Sequence, residues 1–379
     1  MKKSAKWKLC CLLAVWFCLA SVGYSNAYDI DDHFSVGGIV AGAYQYADPD
    51  GPAGTEELDR GAVAFQPEVD ITLTEVDEIF FKLGFATGNG LNVEDYPFLL
   101  APWAADLEDD VRDINGRGRD HLLTVWYKHT FRFSDTNTLG LTGGIIDATD
   151  YLDGNAYANC EYAQFMNEAL VNAPNGFFPS YDIGGVFEWE ISSFQLKGLV
   201  MGVGDTGENP DDVTPYNYFG AELAYTANTS LGEGHYRLIV DGTTDDFVDA
   251  DGTPADESLR CVIISCDQQF GDVIGGWIRF GRQDDSAAVV IESCYSGGID
   301  INGTFWGREQ DNIGIGYANQ QGGNQDIDEI QLVEAYVRFG LNEILGLTFD
   351  IQYEDDSYKT GAGEDISGWI GGVRLTAEF

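Results

Sequence analysis

Five basic side chains, Lys82, Arg279, Arg308, Arg338 and Arg374, fall by alternation on the polar side of stretches in which about every second residue is apolar. An Arg fork donates two parallel hydrogen bonds, a geometry that suits neighbouring hydroxyls as well as carboxylates. The other role open to each of these residues is bracing, by pairing with an acid such as Glu334, Asp350 or Glu378. Other chemistry-bearing groups are sparse. The four histidines, His33, His121, His129 and His235, stand apart, and there is no GxSxG, HExxH or P-loop spacing. Catalytic constellations are therefore absent and the chain does not read as an enzyme. Asp249-Ala250-Asp251-Gly252 and the stretch 205–212 offer carboxylate oxygens of the kind that hold Ca²⁺. Solvated acidic loops are the simpler reading, and neither a metal nor a cofactor is expected.

Of the seven cysteines, Cys160, Cys261, Cys266 and Cys294 lie beyond residue 27. Export would place them in an oxidising compartment, and Cys261 with Cys266 are close enough in sequence to be expected to close a small loop. Zinc is the competing reading, but a CxxxxC without a second pair or a nearby His argues poorly for it.

The elements that carry these residues alternate with period two. The last stretch places Val373, Leu375, Ala377 and Phe379 on one face and Arg374, Thr376 and Glu378 on the other. The same split separates Ala335, Val337, Phe339 and Leu341 from Glu334, Tyr336 and Arg338, and Leu347, Phe349, Ile351 and Tyr353 from Thr348, Asp350, Gln352 and Glu354. This is how a strand reads when one face meets lipid and the other a hydrated lumen. Sixteen such strands are expected, roughly over 34–46, 64–75, 78–87, 121–134, 137–147, 181–191, 194–204, 215–227, 234–243, 268–282, 286–292, 297–306, 311–318, 331–341, 344–355 and 367–379. The gaps alternate too: short turns, among them 192–193, 283–285 and 307–310, separate long connections such as 88–120 and 148–180. Short turns at one end and long loops at the other are the mark of an even-stranded antiparallel transmembrane barrel. A soluble β-sandwich has no reason to alternate its loop lengths.

The beginning of the chain reads as a secretory leader. Lys2, Lys3, Lys6 and Lys8 precede an apolar run over 9–20, and Ser25-Asn26-Ala27 supplies small residues at a cleavage site. The expected organisation is a signal peptide over 1–27 and a barrel domain over 28–379. The apolar run is too short for an ordinary spanning helix, which needs about 20 residues. Losing the four lysines takes the net charge from −43 to −47. Such a charge argues against a nucleic-acid partner and suits a pore that prefers cations.

A closing aromatic such as Phe379 resembles the end of outer-membrane β-barrels of Gram-negative bacteria. A second resemblance is more specific. Gly144-Ile145-Ile146-Asp147 with Tyr151-Leu152-Asp153-Gly154-Asn155 and Gln164-Phe165-Met166-Asn167, then Gly276-Trp277-Ile278-Arg279-Phe280-Gly281, Trp306-Gly307-Arg308 and Asp311 to Ala318, resemble the carbohydrate-selective porins of the OprB type over roughly 60–379. The strong acidity and Cys160 inside the block most like that family are departures. The resemblance implies a sixteen-stranded outer-membrane barrel that lets small solutes, notably sugars, diffuse through a lumen wide enough for water. Its partners would be outer-membrane lipid and the permeating sugar, and it would work as a monomer or as a homo-oligomer such as a trimer. A general or cation-selective pore, or a surface barrel with a plugged lumen, is the alternative. Folding of loop 148–180 into the barrel would narrow the pore, with loop 88–120 and its Arg112, Arg117 and Arg119 as second candidate. Lys82, Arg279, Arg308, Arg338 and Arg374 would then line the lumen, since Arg on the lipid face costs about 2–4 kcal/mol at mid-membrane. Arg279 and Arg308 are favoured for the constriction, because they match the family's motifs.

Overall fold

The computed structural model describes residues 28–204, 216–244, 247–251 and 257–379. The leader and the acidic stretch 205–212 lie outside them. Eighteen strand segments form one sheet. A short N-terminal segment, Tyr28–Asp31, pairs only along its neighbour's edge, and two further segments form a single strand interrupted at Gly84, which leaves a ring of sixteen. In chain order these are β1 (Phe34–Asp50), β2 (Leu58–Thr74), β3 (Asp77–Leu83 with Phe85–Thr87), β4 (Leu122–Ser134), β5 (Asn137–Ile146), β6 (Asp182–Ile191), β7 (Phe194–Val203) and β8 (Tyr216–Asn228). They continue as β9 (Glu233–Thr243), β10 (Arg260–Phe270), β11 (Ile274–Gln283), β12 (Ile291–Asn302), β13 (Asn312–Gly322), β14 (Ile327–Gly340), β15 (Leu345–Tyr358) and β16 (Ile366–Glu378).

Every strand pairs antiparallel with its sequence neighbours, and β16 pairs with β1 from Ser367↔Asp50 to Glu378↔Ile39, which closes the barrel and leaves no edge. Phe379 extends the seam: its N–H donates to the Gly38 carbonyl (3.0 Å) and its carbonyl accepts from Gly38 N–H (2.8 Å). The alternation has the expected polarity. Phe349, Ile351, Leu223, Leu238 and Ile278 are exposed on the outside, while Thr348, Asp350, Gln352, Glu354 and Arg374 are buried on the inside. Tyr44, Tyr46, Trp189, Tyr225 and Trp369 stand exposed near strand ends, as interfacial aromatics do.

The strand count matches the sequence reading, but the tenth to twelfth frames do not. Residues 260–270 form β10, not part of a loop, and the chain turns at 271–273, inside the expected strand 268–282. Gln283 therefore ends β11 at the long-loop end, so 283–285 is not one of the short turns. Trp306 leaves the wall altogether, in the 3₁₀ turn Gly303–Trp306.

The Cys261–Cys266 bridge is also corrected. Both residues lie on β10, where Cys261 is buried inside and Cys266 belongs to the outward register, and all four described cysteines are free thiols. Five residues of strand span about 17 Å, far beyond the about 7 Å of Cα separation that a disulfide tolerates.

Candidate functional site: a lumen narrowed by two loops

Both long loops fold into the barrel. Their backbone N–H groups have no strand partner there, and inward carboxylates and amides of the wall supply acceptors. Glu334 on β14 accepts from Met166 N–H (2.6 Å) and Asn167 N–H (3.0 Å). Glu222 on β8 accepts from Asp153 N–H (2.9 Å), and Asp356 on β15 from Leu99 N–H (2.8 Å). Gln45 and Gln352 each donate 2.9 Å to the Pro102 carbonyl. The loops also bind each other: Ala104 N–H donates to the Met166 carbonyl (2.9 Å), and Trp103 Nε1–H to the Glu161 carbonyl (3.0 Å). Within 147–181 one α-helical turn forms at Glu168–Val171, capped by the Asn167 side chain at Ala169 N–H, beside 3₁₀ turns at Ala148–Asp150 and Pro174–Gly176. Glycines let the loop lie flush on the wall. A Cβ at Gly281 would stand 2.4 Å from Asn175 Oδ1, and one at Gly316 would stand 2.9 Å from the Phe165 ring.

The five basic candidates separate by position. Arg279 on β11 sits 2.7 Å from the Asp153 carboxylate with neither side chain exposed, and also donates to the Ala158 carbonyl (2.9 Å). Arg374 on β16 donates to the carbonyls of Glu161 (2.6 Å) and Gln164 (2.8 Å). Both face inward, but they lie sealed beneath the loop and brace it, out of reach of any solute. Arg338 is inward near the short-turn end and pairs with Glu378 at 3.3 Å. Arg308 does not point into the lumen: it follows the Gly303–Trp306 turn, half-exposed, paired with Asp311 at 2.5 Å. The turn glycines and aromatics that resembled strand made it look like wall.

Lys82 remains. It stands on β3, 3.5 Å from Glu68, within electrostatic reach of Asp150, Asp147 and Asp106. Toward the short-turn end, inward side chains of β2–β6 such as Glu68, Phe80, Lys82, Trp126, Lys128 and Glu188 keep partial exposure, as do Arg338 on β14 and His235 on β9. Gln66, Thr124 and Thr142 higher on the same side, and the inward residues from Thr348 to Asp356 on β15, are buried. Most of the partly exposed inward residues just named lie on the β2–β6 side. Phe80 and Trp126 stack there, ring centroids 5.1 Å apart, and Lys128 pairs with Glu188 at 2.6 Å.

Above Lys82 the two loops line a mouth of about 390 Å³, whose lining includes Asp106, Asp110, Asp147, Glu161, Phe177 and Tyr181. Tyr181 Oη–H and Gln66 Nε2–H donate to Asp106 at 2.5 and 2.6 Å. Burial raises all four loop carboxyls above the ordinary range: Glu161 and Asp147 to about 7, Asp110 to about 6, and Asp106 in the same direction. Loop 88–121 is pinned by Arg117 on Asp182 (2.9 Å) and by Arg119 donating to the Tyr181 carbonyl. Those two arginines are braces as well. Sequence reasoning missed the mouth carboxylates Asp106, Asp147 and Glu161, although the two long loops that carry them were legible. Among the described residues no group of three or more His, Cys, Asp or Glu is placed to hold a metal ion.

Comparison with known proteins agrees with this geometry. A protein of Aquifex aeolicus described as uncharacterized is 30% identical over 308 residues, 80% of this chain and 84% of its own. The high-pH structure of Pseudomonas putida OprB superposes with a TM-score of 0.71 at 15% identity, covering 92% of this chain and 94% of that one. The outer-membrane channel DcaP of Acinetobacter baumannii superposes at 0.56, with 9% identity over 93% of this chain and 99% of its own. The family and the fold are those of channel proteins of the Gram-negative outer membrane. The model of the family described as carbohydrate-selective porin, OprB family, matches residues 105–356, two thirds of the chain, within a barrel that closes as porins do, and the chain belongs to that family of outer-membrane porins.

Proposed function

We propose that the pore selects small sugars at the mouth between the two inward loops and passes them along the β2–β6 side. One observation carries this: the mouth sets carboxylate and amide acceptors, Asp106, Asp147, Glu161 and Asn172, beside the rings of Phe177, Phe178 and Tyr181. A sugar offers hydroxyl donors at its edges and an apolar face of C–H groups, and a site with a few placed polar groups among aromatics fits both. Lys82 is the basic side chain we assign to the passage, donating from the wall below the mouth. Solute passage is the whole activity on this reading, with no catalysis.

A second reading, a cation-selective pore without sugar preference, is favoured by the excess of carboxylates around Lys82. Single-channel recording in a planar bilayer with sugar added to one side separates them. Current blocked by sugar supports the first, open current without block supports the second, and no conductance would overturn both. We further infer that residues 1–27 are cleaved after Ala27, which N-terminal sequencing of the exported protein tests by finding Tyr28 first. Whether one barrel or a homo-oligomer such as a trimer assembles is read from the mass of the detergent-extracted protein.

A further inference from the structure

The outer face of the wall is nearly free of basic charge. Among the described residues, Arg260 and Arg282 are the only Lys or Arg on the outward register of the sixteen strands, and they are neighbours. Arg260 opens β10 and Arg282 is the last residue but one of β11, both at the long-loop end, which faces the cell exterior. Val262 pairs directly with Arg282, so the two arginines are diagonal partners on one face, about 7–8 Å apart at Cα. Arg282 is 61% exposed and oriented by Glu292 at 2.5 Å, while Arg260 stands beside Asp284, whose N–H donates to its carbonyl (2.8 Å). Between the two lies an open recess of about 420 Å³ with Val262 and Phe280 as its apolar floor. Ile264, Ile278 and Tyr295 continue that apolar surface toward the membrane centre, each exposed.

This is an amphipathic arrangement turned toward lipid, not toward the pore. Guanidinium forks match phosphate oxygens two at a time. Asp284 and Glu292 stand beside the two guanidiniums, and on a chain of net charge −43 a phosphate finds no other Lys or Arg on the outward register of the described strands. We propose that this recess binds a phosphorylated lipid of the outer leaflet, its phosphate between Arg260 and Arg282 and its chains along Val262, Phe280 and Ile264.

The test incubates the folded barrel in detergent with diphosphoryl lipid A and counts retained lipid by native mass spectrometry. Wild type is expected to retain lipid A and to release its dephosphorylated form. R260Q/R282Q, confirmed as folded by its heat-modifiable migration, is expected to bind roughly thirtyfold more weakly, at about one tenfold step per 1.4 kcal/mol and about 1 kcal/mol for each arginine near an anionic lipid. E292Q, which removes a competitor for Arg282, is expected to bind lipid A more tightly, a result that keeps the proposal open to refutation even if the double variant fails to fold. Equal retention by R260Q/R282Q and wild type, retention of the dephosphorylated lipid, or weaker binding by E292Q would overturn the assignment. Saturation by inorganic phosphate alone, with the same arginine dependence, would make this a soluble-anion site and overturn it too.

Discussion

Replacing Arg279 by Ala is expected to release the middle of loop 147–181 while leaving the barrel intact. The guanidinium and the Asp153 carboxylate lie 2.7 Å apart with no exposure of either side chain. Its removal buries an unpaired carboxylate and strips the Ala158 carbonyl of its 2.9 Å donor. Losing one member of a buried pair costs about 3–5 kcal/mol. The wall is spared, because β11 is held to β10 and β12 by backbone ladders that do not use the side chain. The loop carries the cost, and at about 1.4 kcal/mol per decade its released fraction rises by roughly two to three and a half orders of magnitude. Release should centre on the Asp153–Ala158 segment, since Arg374 and Glu334 still tether Glu161, Gln164, Met166 and Asn167. Asp153→Ala should do the same, and the double variant should recover part of the loss because no buried charge is left alone. Limited proteolysis is expected to cut the variant loop, and single-channel traces to show larger, noisier conductance with unchanged heat-modifiable migration. An uncut R279A with wild-type conductance, or a double variant worse than the two single losses combined, would refute the bracing role.

Lys82→Glu is expected to shift the zero-current potential in a salt gradient further toward the cation's, because it replaces the cation beside Glu68 with another acid; an unchanged potential would take Lys82 out of the passage. Glu161 and Asp147, held to about 7 by burial, should make cation preference grow as pH rises through neutrality, and Glu161→Gln should flatten that profile. The sign for stability is opposite: their protons favour the packed loop, so that contribution is complete below the ordinary carboxylate range and is lost as pH climbs through about 7, readable as faster loop proteolysis at alkaline pH. Deleting Phe379 removes two seam hydrogen bonds to Gly38 (2.8 and 3.0 Å) and should lower the outer-membrane level of the protein without changing export, checked by fractionation; normal levels would count against its role in insertion.

What was legible depended on whether two solvents met at one strand. In β15, Phe349 and Ile351 face lipid while Asp350 and Gln352 face the lumen, so the sequence alternates and its frame can be read directly. Arg260-Cys261-Val262-Ile263-Ile264 does not alternate, because loop 147–181 covers the inside of β10 and makes Cys261 and Ile263 as buried as a soluble core. With apolar residues on both faces the strand lost its period-two signal, and the frame slipped across the turn at 271–273. The roles of the arginines were hidden for a related reason. Alternation correctly placed Arg279 and Arg374 inward, but not what lies on top of them, and a loop 100 or more residues away in sequence turned both from lining into brace.

The acid excess, which reads from the sequence as solvated surface charge and cation attraction, has a second use inside the barrel. A long loop folded into a pore brings many N–H groups and no ladder to receive them, and an unpaired buried donor costs about 1–3 kcal/mol. Carboxylates are the strongest acceptors available, with two oxygens and no donor to misplace. Glu334 takes two adjacent loop amides, Asp182 takes Gly204 N–H at 2.6 Å, Glu108 takes Gly88 N–H at 2.8 Å, and Asp110 takes Leu107 N–H at 2.8 Å. The arginines complete the scheme by donating to loop carbonyls that have no strand partner. Anchoring thus consumes charge on the β8–β16 side, where Glu334, Glu222, Arg279 and Arg374 are all committed to backbone or to a counterion, Asp153 for Arg279 and Lys197 for Glu222. Along β2–β6, Lys82, Glu68, Lys128 and Glu188 keep exposure, so on our reading of the passage substitutions there change which solute passes, and substitutions at the buried Glu334, Glu222, Arg279 and Arg374 change how firmly the loop is held.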